Sequence, residues 1–468
     1  MTNEKKQGIK NKRRTLYLDL TFLGTLIFFL FRIPLTNIIG NEGNGYFAVS
    51  WELYTIFGLF FGHCFSNIVS EMVRKRVRKN QYHNSTSVLT FSLISGLLFS
   101  VLGALVIYFV SDIILGLISM KLSGISLRLL GVLLVLSSLS GVFRGYFEGT
   151  GTKVPTSFSK MVEAFVAGTG ALIFAVVLNK YGTKVGALLF NPQYEPAFGA
   201  TGIAAGCICG TLFSLLFLLV INRIYQVPLK QLLKKDESRI AESFKTVFVE
   251  MGKLFLITFA ELLFFKAFRI VNMWLYIKAT SITDSKDKIV QYLGSYHGKV
   301  LVLTSIVILI ILCFTGSNIR RIHKNYYRNE LKYCWKYFCD DMKQILMISV
   351  PVTVLLAVLG KNIFTLFYKS AGNIEVTMFQ IGSISIILVS VTIYMYRLLR
   401  KMDLKLILTL IPVIAFVIQT IIMSVIVKVP EIGALSMIIS EVVFWLLVVI
   451  MELLVCIKTL KQGFKSKI

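Results

Sequence analysis

Acidic residues are scarce in this 468-residue chain: 24 Asp and Glu stand against 50 Lys and Arg, a formal charge of +26. Histidine is scarcer still. The four, at 63, 83, 297 and 323, form no HExxH-like grouping, which argues against a catalytic metal. Seven cysteines (64, 207, 209, 313, 334, 339 and 456) include no CxxC pair and lie mostly within or beside apolar runs, as small buried hydrophobes do. No Ser/His/Asp, Cys/His or paired-carboxylate constellation stands out on the loops, and the longest expected outer loop, 179–198, leaves little room for a catalytic domain. The expectation is a chain that is not an enzyme and uses no cofactor.

What the chain has in excess is apolar surface. Hydrophobic residues make up 56% of it and the mean hydropathy is +0.74, more than a soluble domain can cover with polar groups. The reading is an all-α, polytopic membrane protein, because about 20 residues of helix cross the roughly 30 Å of hydrocarbon. Twelve runs qualify: 16–39, 46–72, 86–111, 124–143, 155–178, 199–221, 250–277, 289–316, 342–360, 375–397, 404–427 and 432–457. The basic start, MTNEKKQGIKNKRR, leads into an apolar run without a small-residue cleavage site, so it reads as a first span and not as a signal peptide.

A charge of +26 raises nucleic acid as a partner, and its distribution answers the question. With the N-terminus cytoplasmic, 36 of the 50 Lys and Arg fall on that side, 10 on the other and 4 within spans. That asymmetry is membrane topology: both termini cytoplasmic, no nucleic acid, anionic membrane lipids as neighbours of the basic loops. Long-range echoes suggest a parallel repeat. Phe31-Arg32-Ile33 recurs as Phe268-Arg269-Ile270; Cys64, Phe65, Ser66, Asn67 and Ile68 recur as Cys313, Phe314, Ser317, Asn318 and Ile319; Pro196, Gly199 and Ala200 recur as Pro430, Gly433 and Ala434. The expected organisation is a basic N-terminus (1–15), a six-helix lobe (16–221), a basic, partly amphipathic linker (222–249), a second six-helix lobe (250–457) and a tail (458–468). Such repeats are a transporter architecture with a site between the halves.

Charges inside spans are costly, about 2.5–3.5 kcal/mol each, and usually face a polar cavity. Arg32 precedes Pro34, which bends or breaks a helix. It reads either as a cavity cation or as a side chain snorkelling to the outer interface. The seventh span holds Glu261, Lys266 and Arg269, read either as an internal ion pair or as cavity residues. Arg32, Lys266 and Arg269 together ask for an anion such as phosphate or pyrophosphate, which arginine binds bidentately. Glu52, Lys299 and Glu441 are weaker candidates, and Glu71 balances the RKRVRK cluster at 74–79.

The stretch RGYFEGTGTKVP (144–155) has the glycines and lysine of a phosphate loop but the wrong spacing: five residues after Gly145 comes Thr150, and Thr152 precedes Lys153. It reads as a cytoplasmic hinge of Arg144, Gly145, Glu148, Gly149 and Pro155, with Glu163 beyond, the glycines permitting a tight turn. Extended to RGYFEGTGTKVPTSFSKMVE, it resembles the signature of the stage V sporulation protein B and lipid II flippase branch of the multidrug/oligosaccharidyl-lipid/polysaccharide (MOP) flippase superfamily, roughly RGYFQG followed by PTAxSQxxEQ. It departs at Glu148, Ser157, Lys160 and Ala164. IGNEGNGYFAVSWELYTIFGLFFGHCFSNIVSEMV (39–73) is similar to the family's first outer turn and second helix, whereas the eighth helix ends in TGSNIRR where the family has AxxPxIS.

The resemblance implies a bacterial cytoplasmic-membrane flippase that moves a polyprenyl-pyrophosphate-linked glycan outward by alternating access. Arg32 would match a basic position of the first helix. Other readings are a cation-coupled drug exporter of the same superfamily and a non-transporting scaffold that holds glycan synthesis enzymes.

Overall fold

In hydrocarbon no water satisfies backbone N–H and C=O groups, so apolar runs of this length must close their hydrogen bonds within the segment and become helices. The computed structural model describes residues 3–462 except 239, 240, 282, 283, 315, 317, 370, 371, 403, 430 and 431, with side chains from Phe22 onward other than those of 228, 229, 405 and 462. Ser317 and Pro430 of the sequence echoes, and the tail beyond 462, lie outside the described residues. Among the described residues there is no strand. Ten helical segments among the described residues are long and apolar enough to cross a membrane. One of them, Phe22–Val77, covers two of the twelve expected runs. Helix 244–280, over a third expected run, carries Glu261, Lys266 and Arg269 and is not among the ten.

The chain divides into two compact units, Met1–Ala260 and Glu261–Ile468. The first contains α1 (Asn3–Gly58), a π-helical turn (Leu59–Cys64), α2 (Phe65–Val77), α3 (Tyr82–Leu117), α4 (Gly124–Gly149), α5 (Val154–Leu188), α6 (Tyr194–Leu233) and the start of α7 (Phe244–Thr280). The expected outer loop 179–198 is mostly helix, the ends of α5 and α6 joined by a short turn. Small residues bring α5 and α6 backbone to backbone: a Cβ on Gly202 would lie 2.5 Å from Ala175 N, and one on Gly206 2.3 Å from Ala171 N. Between membrane helices, where lipid is as apolar as the partner, such close approach is a main source of association.

The stretch expected to be a linker is tied to the first unit. Residues 222–233 continue α6. Arg76 at the end of α2 donates to Glu242 and, at 2.8 Å, to Glu250, while Asn84 accepts from the Glu242 N–H at 3.2 Å. Glu71 pairs with Lys75 at 3.3 Å, as its position beside the basic cluster implied.

The second unit continues α7 and adds α8 (Lys286–Ser295), a π-helical turn (Tyr296–Val300), α9 (Leu301–Phe314), α10 (Ile319–Tyr327), α11 (Leu331–Val358), α12 (Gly360–Phe367), α13 (Asn373–Gly382), α14 (Ile384–Lys401), α15 (Lys405–Ile426) and α16 (Ser436–Gln462). Its core includes Phe268 stacked on Phe444 at 4.1 Å between ring centroids. The two π-turns begin at Leu59 and Tyr296, 237 residues apart, which is also the spacing of Phe31 and Phe268. The same rare local geometry thus recurs at the register of the Phe-Arg-Ile echo, not at the 251-residue register of the Ser-Asn-Ile echo.

Candidate functional site: a charged cavity in the first unit

The hinge sequence is not a loop throughout. RGYFEG forms the last turns of α4, residues 150–153 make the turn, and Pro155 sits in the first turn of α5 as expected. Gly151, with φ of 92°, is the glycine the turn requires. Gly145 and Gly149 do something else. A Cβ at 145 would lie 2.5 Å from the Ser66 carbonyl oxygen, and one at 149 would lie 2.6 Å from Val73 Cβ, so these glycines let α4 press against α2. The expectation that they form the turn is corrected accordingly: sequence shows where glycines are dense, not which face of a helix they clear.

The hairpin α4–α5 aims its charged side chains into a cavity of about 310 Å³ inside the first unit. Phe28 and Trp51, from the two arms of α1, supply aromatic walls; Arg144, Lys160 and Glu163 supply charge. Arg144 is tightly held. Its Nε donates to Ser159 Oγ at 3.0 Å, and its Nη2 to Ser214 Oγ at 2.7 Å and to Glu163. Glu163 also accepts from Thr211 Oγ1 at 3.0 Å, so both its oxygens are engaged. Thr156 Oγ1 donates to the Arg144 carbonyl oxygen at 3.2 Å, tying the start of α5 to the end of α4.

Lys160 differs. It makes no hydrogen bond or ion pair among the described residues, although the charges of Arg144, Glu148 and Glu163 act on it. With Arg144 neutralised by Glu163, the cavity keeps one uncompensated positive charge. Sequence reading noted Lys160 only as a departure from a glutamine. The signal that could have found it is its position one helical turn before Glu163, on the same face of α5.

Arg32 is buried, 7% exposed. Its Nη2 donates to Asn44 Oδ1 at 3.1 Å, its guanidinium carbon lies 5.0 Å from the centre of the Phe47 ring, and Asn44 Nδ2 donates to the Gly40 carbonyl at 2.8 Å. Gly40, at φ 71° and ψ −175°, breaks the helical path of α1, while Pro34 lies inside the helix. Arg32 therefore bridges the two arms of α1 across their bend. The ring centroids of Phe47 and Trp51 are 5.5 Å apart, which links this bridge to the cavity wall.

Glu261, Lys266 and Arg269 belong to the second unit. Glu261 is 2% exposed and accepts from Tyr396 OH at 2.6 Å, with Arg400 Nε at 3.5 Å. Arg269 donates to Glu441 Oε1 at 2.6 Å; Glu441 also accepts from Tyr296 OH and, at 3.3 Å, from Trp445. Lys266 is half-buried on the same helix. Lys299, a weaker sequence candidate, is fully buried and paired with Glu375 at 2.8 Å. Among the described residues no cluster of His, Cys, Asp and Glu could hold a metal ion.

Residues 13–317, well over half of the chain, match the family of polysaccharide biosynthesis proteins. The chain belongs to that family. No curated protein matched the sequence. Its fold is similar to the inward-facing conformation of a multidrug resistance MATE family transporter of the MOP superfamily, with a TM-score of 0.69, 12% identity and 96% of each chain covered. The outward-facing conformation of such a transporter gives 0.64 at 13% identity, again over 96% of each chain. A MOP superfamily transporter from Pyrococcus furiosus, described as having a binding pocket of reversed polarity, gives 0.59 at 12% identity over 96% of this chain and 95% of that one. This member of the polysaccharide biosynthesis family is thus a multi-pass membrane protein with the transporter fold of the MOP superfamily.

Proposed function

We propose that the protein is a flippase that moves a polyprenyl-pyrophosphate-linked glycan precursor from the cytoplasmic to the outer leaflet of a bacterial cell membrane by alternating access. The observation that carries this reading is Lys160, an ammonium without an ion-pair partner, beside Arg144 in an aromatic-walled cavity. A fixed cation in a low-dielectric site favours an anion, and pyrophosphate offers several charge-assisted acceptors. Aromatic walls suit the apolar faces of sugar rings. A cationic drug fits less well, because Glu163, the carboxylate in the cavity, is committed to Arg144 and Thr211. Arg32 of the first unit, and Lys266 and Arg269 of the second, are proposed to contact the anion during its passage, with Glu261 ordering the second unit's charges. The α4–α5 hairpin, from Arg144 to Glu163, is proposed as the cytoplasmic gate; it moves with Pro34 and the bend of α1.

The test is translocation of a fluorescent polyprenyl-pyrophosphate-linked oligosaccharide in proteoliposomes. Lys160→Gln is expected to weaken the interaction roughly tenfold, the value of one charge-assisted contact, and Lys160→Arg to retain it. Equal rates for Lys160→Gln and wild type would overturn the assignment of the cavity. Export of cationic drugs with no lipid movement would overturn the substrate class. Wild-type protein that translocates nothing yet supports glycan synthesis in cells would point to the scaffold reading.

A further inference from the structure

Glu452, on α16, is 0% exposed, and neither of its carboxyl oxygens has a hydrogen-bond partner. Other buried carboxylates of the second unit have donors: Glu261 has Tyr396, Glu375 has Lys299 and Ser295, Glu441 has Arg269 and Tyr296, and Asp341 has Asn318 and Tyr394. An ionised carboxylate buried without a donor or a counter-ion carries a penalty of several kcal/mol, which a carboxylic acid of the same shape does not. An ionisable group at such a position in a membrane helix is by default a candidate functional site.

The groups around it define a route. One turn along α16, Cys456 feels its charge, and on α14 so does Tyr396. Tyr396 is also under the charge of Glu261 on α7, to which it donates its hydroxyl, and of Arg400, whose side chain is 36% exposed. On α11 the ionisable groups of this region include Asp341, held by Tyr394 of α14, and Cys334 and Cys339, which pack in the same cluster as Cys456. On α13 Glu375 is occupied by Lys299, and α15 has no ionisable residue from 406 to 426. The cation at the exposed end of this set is Arg400, 3.5 Å from Glu261, beyond Tyr396.

We propose that Glu452 is a proton-binding site of the second unit, loaded as the neutral acid while buried and discharged along Tyr396 and Glu261 toward the Arg400 surface. The step is a proton transfer only: the carboxyl O–H breaks, leaving carboxylate at Glu452, and the proton passes to a carboxylate or water on the way out. The site requires no particular cargo, so it stands apart from the glycan reading.

Infrared spectroscopy of the full-length protein in liposomes tests it without substrate. A protonated carboxyl C=O band is expected in wild type at neutral pH, downshifted in deuterium oxide and absent from Glu452→Gln, whose thermal unfolding should match wild type because the amide keeps the shape of the acid. Glu452→Asp, which keeps the acid, should retain a band. A wild-type spectrum without such a band, or one unchanged in Glu452→Gln, overturns the proposal. A band that persists unshifted after deuterium exchange also overturns it, since a site that exchanges protons must exchange deuterons.

Discussion

In the first unit α5 and α6 meet through Gly202 and Gly206, and α4 meets α2 through Gly145, with backbone atoms of the neighbouring helix where a side chain would otherwise stand. In the second unit the closest approaches of a would-be glycine Cβ among the described residues are to side-chain atoms, Gln380 Cγ at 2.8 Å from Gly360 and Ile438 Cδ1 at 3.0 Å from Gly382. There cohesion shifts to polar pairs: Lys299 with Glu375, Arg269 with Glu441, Asp341 with Tyr394 and Asn318. Backbone packing admits few alternatives, because a shifted helix collides. Buried ion pairs contribute little net stability, yet breaking one leaves a stranded charge, so they specify partners more than they add strength. In the first unit Lys160 stands in the cavity without an ion-pair partner among the described residues; in the second the buried cation Lys299 is paired.

The sharpest way to break this contrast is to add bulk at a glycine. Gly206→Leu drives a side chain into the backbone of Ala171, and a loss of about 3 kcal/mol or more is expected, seen as missing folded protein or a large drop in unfolding temperature in detergent. Gly382→Ala, its counterpart in the second unit, should change stability by about 1 kcal/mol or less, since only the side-chain ends of Ile438 and Val300 must give. Next in size is Lys299→Met, which leaves Glu375 buried without its cation and should cost about 3–5 kcal/mol. The double variant Lys299→Met, Glu375→Gln should recover most of that in a double-mutant cycle. Arg269→Gln should cost less, about 1–3 kcal/mol, because Tyr296 and Trp445 still serve Glu441.

The smallest effect is expected at Asp236, outside the spans. Burial raises its carboxyl somewhat, but hydrogen bonds from the His83 backbone N–H and from Ser238 outweigh this and hold it below the usual carboxylate range. Its contribution is present above the ordinary carboxylate pKa and is lost as pH falls through the depressed one. Asp236→Asn should therefore flatten the acid limb of a stability–pH profile slightly and leave neutral pH unchanged.

Features that run along one helix were legible in the sequence: the apolar runs, the clustered loop charges, the proline opening α5. The Phe-Arg-Ile echo was legible because a repeat preserves chain spacing, and the matched π-turns fall at its register. Features that run between helices were not. Arg269 finds its carboxylate 172 positions away on α16, and Arg144 is held by Ser214 at a separation of 70. Hydropathy is also blind to Glu452, one acid in a long apolar stretch, whose meaning lies in the donors that are missing around it. Gly145 and Gly149 show a third limit: composition marks them as turn residues, and only the neighbouring helix tells that they are contact surfaces.

The bend of α1 at Gly40 has a leverage worth counting. From Phe22 to Gly40 the first arm is 18 residues, about 27 Å at 1.5 Å per residue, so a rotation of about 10° at Gly40 sweeps its far end through roughly 5 Å. Because Phe28, about 18 Å from Gly40, lies on that arm and Trp51 on the other, such a stroke would shift the cavity wall by about 3 Å, with the Arg32–Asn44 bond acting as the catch that sets the resting angle.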